Sequence, residues 1–131
     1  MKTITEKLQL LKETVDHYSV NPKKRRCGTN DRCRYSPITL DIKTSKGCAV
    51  GRLLDPALAL KIDRQFEGVS NSSVSGVWKH IPSNIQSFGK EFLRSLQILH
   101  DADAYWTEDG ISDAGTNYCK EIKEKILSER Y

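Results

Sequence analysis

Ile38-Thr-Leu-Asp-Ile-Lys-Thr-Ser-Lys-Gly-Cys-Ala-Val-Gly-Arg-Leu-Leu54 is the stretch on which the fold class turns. Ile38, Leu40 and Ile42 alternate with Thr39, Asp41 and Lys43, the two-residue period of a strand with one buried face. Thr44 to Gly47 has the composition of a turn. Cys48 to Leu54 then either returns as a second strand or opens a short helix at the cysteine. A β-hairpin over about 38–52 is the preferred reading, because Asp55-Pro56 is a helix start in its own right, an N-cap acceptor followed by proline at the first helical position.

Outward from this stretch the pattern is helical. Thr3 and Glu6 have capping-box spacing, and Ile4, Leu8, Leu11, Val15 and Tyr18 recur at steps of four and three, which predicts an amphipathic helix over 4–18 ended by Asn21-Pro22. After the central stretch, Leu58, Ile62 and Phe66 give the inward face of a second helix that Gly68 should stop. Residues 70–76, Ser-Asn-Ser-Ser-Val-Ser-Gly, read as a loop, and 77–81 as a short strand or an anchored loop. Ser83 and Gln86 repeat the capping-box spacing before Ile85, Phe88, Phe92, Leu96 and Leu99, which predicts one core helix from Ser83 to about Asp103. Asp101 and Asp103 would sit unfavourably at its negative end. Asp109-Gly110 separates it from a last helix over about 112–129, with Tyr118, Ile122 and Ile126 inward. The expectation is therefore a small single α+β domain over 1–131, with an N-terminal helix, a hairpin, a short helix and two C-terminal helices.

With 131 residues the chain can bury roughly two thirds of its unfolded surface in one core. No run approaches the ~20 apolar residues of a membrane helix and no signal-peptide core is present, so a cytoplasmic protein with no membrane partner is expected. In that reducing compartment Cys27, Cys33, Cys48 and Cys119 are expected as thiols, and small buried hydrophobes are their plainest role. The formal charge of +4 is local: residues 21–36 hold six basic residues against Asp31, a net of +5, and the rest of the chain sums to −1. Such a basic arm raises the local concentration of phosphate-bearing partners, or simply solvates the chain.

At Cys33-Arg-Tyr35, Gly47-Cys-Ala-Val-Gly51, Leu53-Leu54-Asp55, Glu67-Gly68 and Leu96-Gln-Ile-Leu-His-Asp101 the chain resembles a family of small uncharacterised proteins found in bacterial genomes and phages. The likeness touches five places over about 70 residues, in order. Arg52 stands where another cysteine is frequent in that family, and the segment between Cys33 and Cys48 is longer here. The resemblance implies a small α+β protein that is often phage-borne. It carries no catalytic role over to any residue.

Three chemistries can be drawn from the residues. Cys48 with His100 and Asp101 has the parts of a thiol nucleophile, a base and an orienting carboxylate. Neighbours on a helix project about 100° apart, however, so Asp101 is not expected to orient His100, and a histidine that hydrogen-bonds the hairpin is the plainer reading. Cys27, Cys33, Cys48 and His100 are ligands of the type tetrahedral zinc takes, yet five and fourteen residues separate the cysteines where zinc sites pair ligands two to four apart. No phosphate loop, dinucleotide fingerprint or His-Glu-x-x-His occurs, and no cofactor is expected.

Recognition is the third. Lys23, Lys24, Arg25, Arg26, Arg32, Arg34 and Arg52 could converge at the hairpin end, with Tyr35 or Trp78 to stack on a base. Such aromatics are more often core residues than stacking platforms. The expectation is a protein that binds a phosphorylated ligand, a nucleotide signal before a nucleic acid, by sequestration rather than chemistry. In a phage setting this would serve against a host defence messenger. An inhibitor that sets the basic arm against an acidic host protein is the alternative partner, a Cys48/His100 thiol enzyme the alternative class, and self-association is left open.

Overall fold

The computed structural model describes residues 1–20, 22, 49–66 and 74–131. The expected strand at 38–42, the turn at 44–47, the basic arm at 21–36 except for Pro22, and three of the cysteines, Cys27, Cys33 and Cys48, lie outside the described residues.

The fold is α+β: helices packed on one core with a two-stranded antiparallel hairpin. Helix α1 runs Ile4–Ser19, and Thr3 caps it as expected, its Oγ1 accepting the Glu6 amide at 3.1 Å. Its buried face is centred on Lys7, Leu10, Leu11, Thr14 and Tyr18, so Ile4, Leu8 and Val15 flank the core rather than fill it. Two polar residues sit on that face because each has a local solution. Thr14 Oγ1 donates to the Leu10 carbonyl at 2.8 Å, and the Lys7 stem runs along apolar surface to the main-chain oxygen of Tyr131.

The first described residues of the central stretch correct its preferred reading. Ala49 and Val50 form a turn, Gly51–Leu53 is a single 3-10 turn, and Leu54 N–H closes on the Gly51 carbonyl at 3.0 Å. A returning strand over 48–52 is excluded for 49–52. The apolar residues there are buried by coiling tightly, Ala49 and Val50 at 0% exposure and Leu54 at 6%, so no strand partner is required. Helix α2, Pro56–Phe66, starts where Asp55-Pro56 predicts, with Asp55 Oδ1 accepting the Ala57 amide at 2.9 Å. It seats Ala59 and Ile62 in the core.

Val74–Val77 is a helical turn, α3, continued by a 3-10 turn over Trp78–His80. This corrects for 74–76 the loop expected at 70–76, whose residues 70–73 lie outside the described residues, and replaces the strand or anchored loop considered at 77–81. The long core helix also divides. Ser83–Gln86 forms α4 and Lys90–Asp101 forms α5, and Gly89 between them takes φ +94°, a conformation that leaves the right-handed helix. Ser83 is the first residue of α4 and not its cap, since the cap position falls on Pro82. Phe92, Leu93, Leu96 and Leu99 of α5 are all at 0% exposure.

The described residues hold a hairpin at a place the sequence pattern did not mark. After a 3-10 turn at Asp103–Tyr105, β1 (Trp106–Thr107) pairs with β2 (Gly110–Ile111), Trp106 opposite Ile111 and Thr107 opposite Gly110. Glu108-Asp109 is the two-residue loop, and Asp109 N–H donates to Thr107 Oγ1 at 3.2 Å. Ser112 then caps α6, Asp113–Leu127, accepting the Gly115 amide at 3.1 Å. Helices α1, α5 and α6 touch one another, and β2 lies against α1. No helix among the described residues is long and apolar enough to cross a membrane.

Candidate functional site

The C-terminal turn of α5 carries the only chemistry-bearing motif of the sequence that falls wholly within the described residues. Gln97 and Asp101 stand one helical turn apart, and Gln97 Nε2 donates to Asp101 Oδ1 at 3.2 Å. The other end of the same amide reaches across the core boundary, where Gln97 Oε1 accepts the Val50 amide at 3.3 Å. Gln97 thus ties the α5 terminus to the turn that directly follows Cys48 in the chain. Sequence reasoning passed over Gln97, although its i, i+4 spacing to Asp101 in Leu96-Gln-Ile-Leu-His-Asp101 was the available signal.

His100 is 1% exposed, and its Nδ1 lies 2.8 Å from Asp101 Oδ1. This overturns the expectation that neighbours on the helix do not meet. The 100° between them separates the Cβ atoms, but Asp101 is the last helical residue and its short carboxylate folds back over the edge of the buried face. Because a carboxylate only accepts, Nδ1 carries the proton of this hydrogen bond. The ring stands edge-on to Tyr18, with centroids 4.8 Å apart, and Tyr18 in turn meets Trp106 at 6.2 Å. Trp106 Nε1 donates to the Leu99 carbonyl at 2.8 Å. His100 is therefore buried against the Tyr18 ring of α1, which itself meets Trp106 of the hairpin, while Asp101 keeps 49% of its side chain in solvent.

Arg52, expected among the phosphate-binding residues, has an intramolecular role. Its side chain is 8% exposed, with Nη1 on Glu13 Oε1 at 2.6 Å and Nη2 on Thr14 Oγ1 at 3.2 Å. The guanidinium fastens the 51–53 turn to α1. Trp78 is half-buried against the core, with the Lys90 ammonium 5.3 Å from its ring centroid. The remaining residues expected to touch a ligand, Lys23, Lys24, Arg25, Arg26, Arg32, Arg34 and Tyr35, lie outside the described residues, as does Cys48.

Among the described residues no three of His, Cys, Asp and Glu gather where a metal ion could be held. Cys119, on α6, is a half-buried thiol that burial pushes up to about 11, the direction opposite to that of a reactive cysteine. The arrangement at 97–101 can hold a proton on a fixed imidazole nitrogen and anchor the turn after Cys48. Comparison with protein families, with curated proteins and with solved structures gives no match to this chain.

Proposed function

We propose that the chain is a binding protein for a phosphorylated ligand, a nucleotide signal in the first place, acting by sequestration rather than by chemistry. The observation that carries this reading is the charge distribution: residues 21–36 hold a net of +5 in a chain whose remainder sums to −1. Guanidinium and ammonium groups concentrated in this way attract phosphate through a field that salt screens. Support against catalysis comes from the described body, where the imidazole oriented by Asp101 is 1% exposed and packed edge-on against Tyr18. Taken with the resemblance to proteins found in phages, the reading extends to an accessory protein that withdraws a host defence messenger.

The experiment is a thermal-shift panel of nucleotide second messengers beside a gel shift with mixed DNA and RNA. A bound ligand raises the melting temperature by the free energy RT ln(1 + [L]/Kd). Replacing Lys23, Lys24, Arg25 and Arg26 together by alanine is expected to weaken binding and flatten its salt dependence, by about one unit of slope for each phosphate no longer neutralised if the ligand is duplex nucleic acid. No shift by either class at low salt would end the reading in favour of an acidic protein partner.

A second reading, a thiol enzyme using Cys48, is favoured by one observation: Asp101 orients His100 at 2.8 Å, and Gln97 of the same turn binds the backbone two residues after Cys48. Faster alkylation of Cys48 by iodoacetamide than of a model thiol at neutral pH would support it.

A further inference from the structure

Three aromatic rings of the described surface carry a lysine over them: Phe88 under Lys2, Trp78 under Lys90 and Tyr131 under Lys125. They differ in how their parts are engaged. Lys2 also pairs with Glu6 at 3.7 Å, and Tyr131 is turned inward onto Phe92 and Ser95. Trp78 has the largest ring, partly open to solvent, and Lys90 is an exposed side chain with no carboxylate partner among the described residues. Its neighbour Glu91 is paired instead with Arg94, at 3.3 Å. The backbone beneath the ring is pinned, since Gln86 Nε2 donates to the Trp78 carbonyl at 2.9 Å, and Lys79 beside it is exposed.

We propose that the Trp78 ring, with Lys90 and Lys79, is a recognition site for a nucleoside phosphate: the base stacks on the indole, and the lysines take the phosphate. This deepens the phosphorylated-ligand reading and rests on it. The exchange is favourable at both ends. A base stacked on an indole outweighs an exposed ammonium over the same ring, and the displaced Lys90 gains a phosphate, which a compact flexible cation binds well. Neither gain needs the core to move, because Trp78 is held by the Gln86 hydrogen bond and by the apolar residues behind it.

The test uses the protein's own emission. The chain has two tryptophans, and Trp106 is 8% exposed with its N–H bonded inside the fold, so a surface ligand quenches Trp78 selectively. ATP, adenosine, tripolyphosphate and a short oligodeoxythymidine are titrated into the wild type, Trp78→Phe and Lys90→Ala, with melting temperature followed in parallel. ATP or the oligonucleotide is expected to quench the wild type and not Trp78→Phe, and Lys90→Ala to raise the apparent Kd about tenfold, as loss of one charged hydrogen bond does. The tighter of the two quenchers identifies the source of the nucleoside phosphate, and either one supports the site. Quenching by tripolyphosphate equal to that by ATP would overturn the proposal, since no base would then be on the ring. A rise in melting temperature with unchanged emission at saturation would also overturn it, while leaving phosphate binding elsewhere on the chain intact. Absence of both responses would remove this site, and the parent reading would then stand or fall on the second-messenger panel and the mixed DNA and RNA.

Discussion

The Lys7 ammonium donates to the main-chain oxygen of Tyr131, 124 positions away in the chain. The tyrosine ring lies 5.9 Å from that of Phe92, and its hydroxyl bonds Ser95 Oγ. Tyr131, four residues beyond the end of α6, thus closes a seam between α1 and α5. Tyr131→Ala removes the ring and the hydroxyl that Ser95 bonds, and it loosens the chain end that holds the 5%-exposed Lys7. We expect a loss of about 2–4 kcal/mol, the range for truncating a large side chain that also strands a polar group, checked by urea denaturation. A loss no larger than that of an exposed control such as Glu124→Ala would mean the seam does not close in solution.

The route by which Tyr131 returns to the core runs through Glu129, at φ +58° the one non-glycine residue in the left-handed region among those described. Arg130 N–H bonds the Lys125 carbonyl and Glu129 N–H that of Ile126, the pattern of a helix end that normally uses glycine. Glu129→Gly relieves the steric cost of the turn and adds some freedom to the unfolded chain. The net expectation is a gain of about 0.5–1 kcal/mol, read as a higher melting temperature.

Gly115 is fixed by close approach rather than by dihedral angle. A Cβ built there would lie 2.3 Å from the Tyr105 carbonyl oxygen and 2.6 Å from Ile111 Cγ1. The first of these is backbone of the 3-10 turn, held by the Ser112 amide on that same carbonyl at 2.8 Å. Gly115→Ala is therefore expected to cost about 1–3 kcal/mol or more, as overpacking does, although alanine is the better helix former. Thr116→Ala, exposed on the next position, should leave the melting temperature nearly unchanged.

These features also mark what could be read in advance. The caps at Thr3 and Asp55 and the inward residues Leu11, Tyr18, Ile62, Ile122 and Ile126 rest on neighbours within one or two turns of each other, and they stand where the pattern put them. The buried face of α1, however, is turned so that Ile4, Leu8 and Val15 only flank the core. Leu96 and Phe92 were legible as core for the same reason. The break at Gly89 was not, because a glycine inside an apolar period of 3.6 is tolerated in a helix until its φ turns positive. The hairpin at 106–111 was hidden by length, since two residues per strand show no alternation. At 49–54 the apolar residues around Gly51 and Arg52 fit a returning strand or a short helix, the strand being the preferred reading, and packing against α1 and α5 accompanies the 3-10 turn that forms instead. Of the candidate site, His100 and Asp101 were visible by type, while their bond, the Gln97 bridge and the Arg52–Glu13 pair depend on three-dimensional proximity.

Cys119 gives a prediction in pH. Below the ordinary thiol value of 9.0 both folded and unfolded chains keep its proton, and its contribution to stability is fully present. Between 9.0 and about 11 the unfolded chain releases the proton and the folded chain does not, so stability falls as pH rises through this window. Tyr118, which burial also pushes upward, adds a loss of the same sign beginning near 10.0. Cys119→Ala should flatten the lower part of the slope in melting temperature against pH. Cys119 itself should be alkylated more slowly than a model thiol at neutral pH, and rapid labelling of the folded protein would contradict the burial.

The last prediction separates structure from chemistry at the end of α5. His100→Ala removes a ring at 1% exposure that packs edge-on against Tyr18, and a cavity of that kind costs about 2–5 kcal/mol. Asp101→Asn keeps an oxygen for the His100 Nδ1 proton and alters a side chain that is 49% exposed, so its cost should stay within about 1 kcal/mol. If the pair is structural, as the binding reading holds, Asp101→Asn will leave both the melting temperature and the iodoacetamide rate of Cys48 near those of the wild type. If Asp101 holds His100 as the base for a Cys48 nucleophile, the fold will again survive but the alkylation rate will fall severalfold, because the imidazole loses the carboxylate that orients it. Melting and mass-resolved alkylation of the same two variants read both outcomes, and a folded Asp101→Asn protein with a slowed Cys48 would move the conclusion from binder to enzyme.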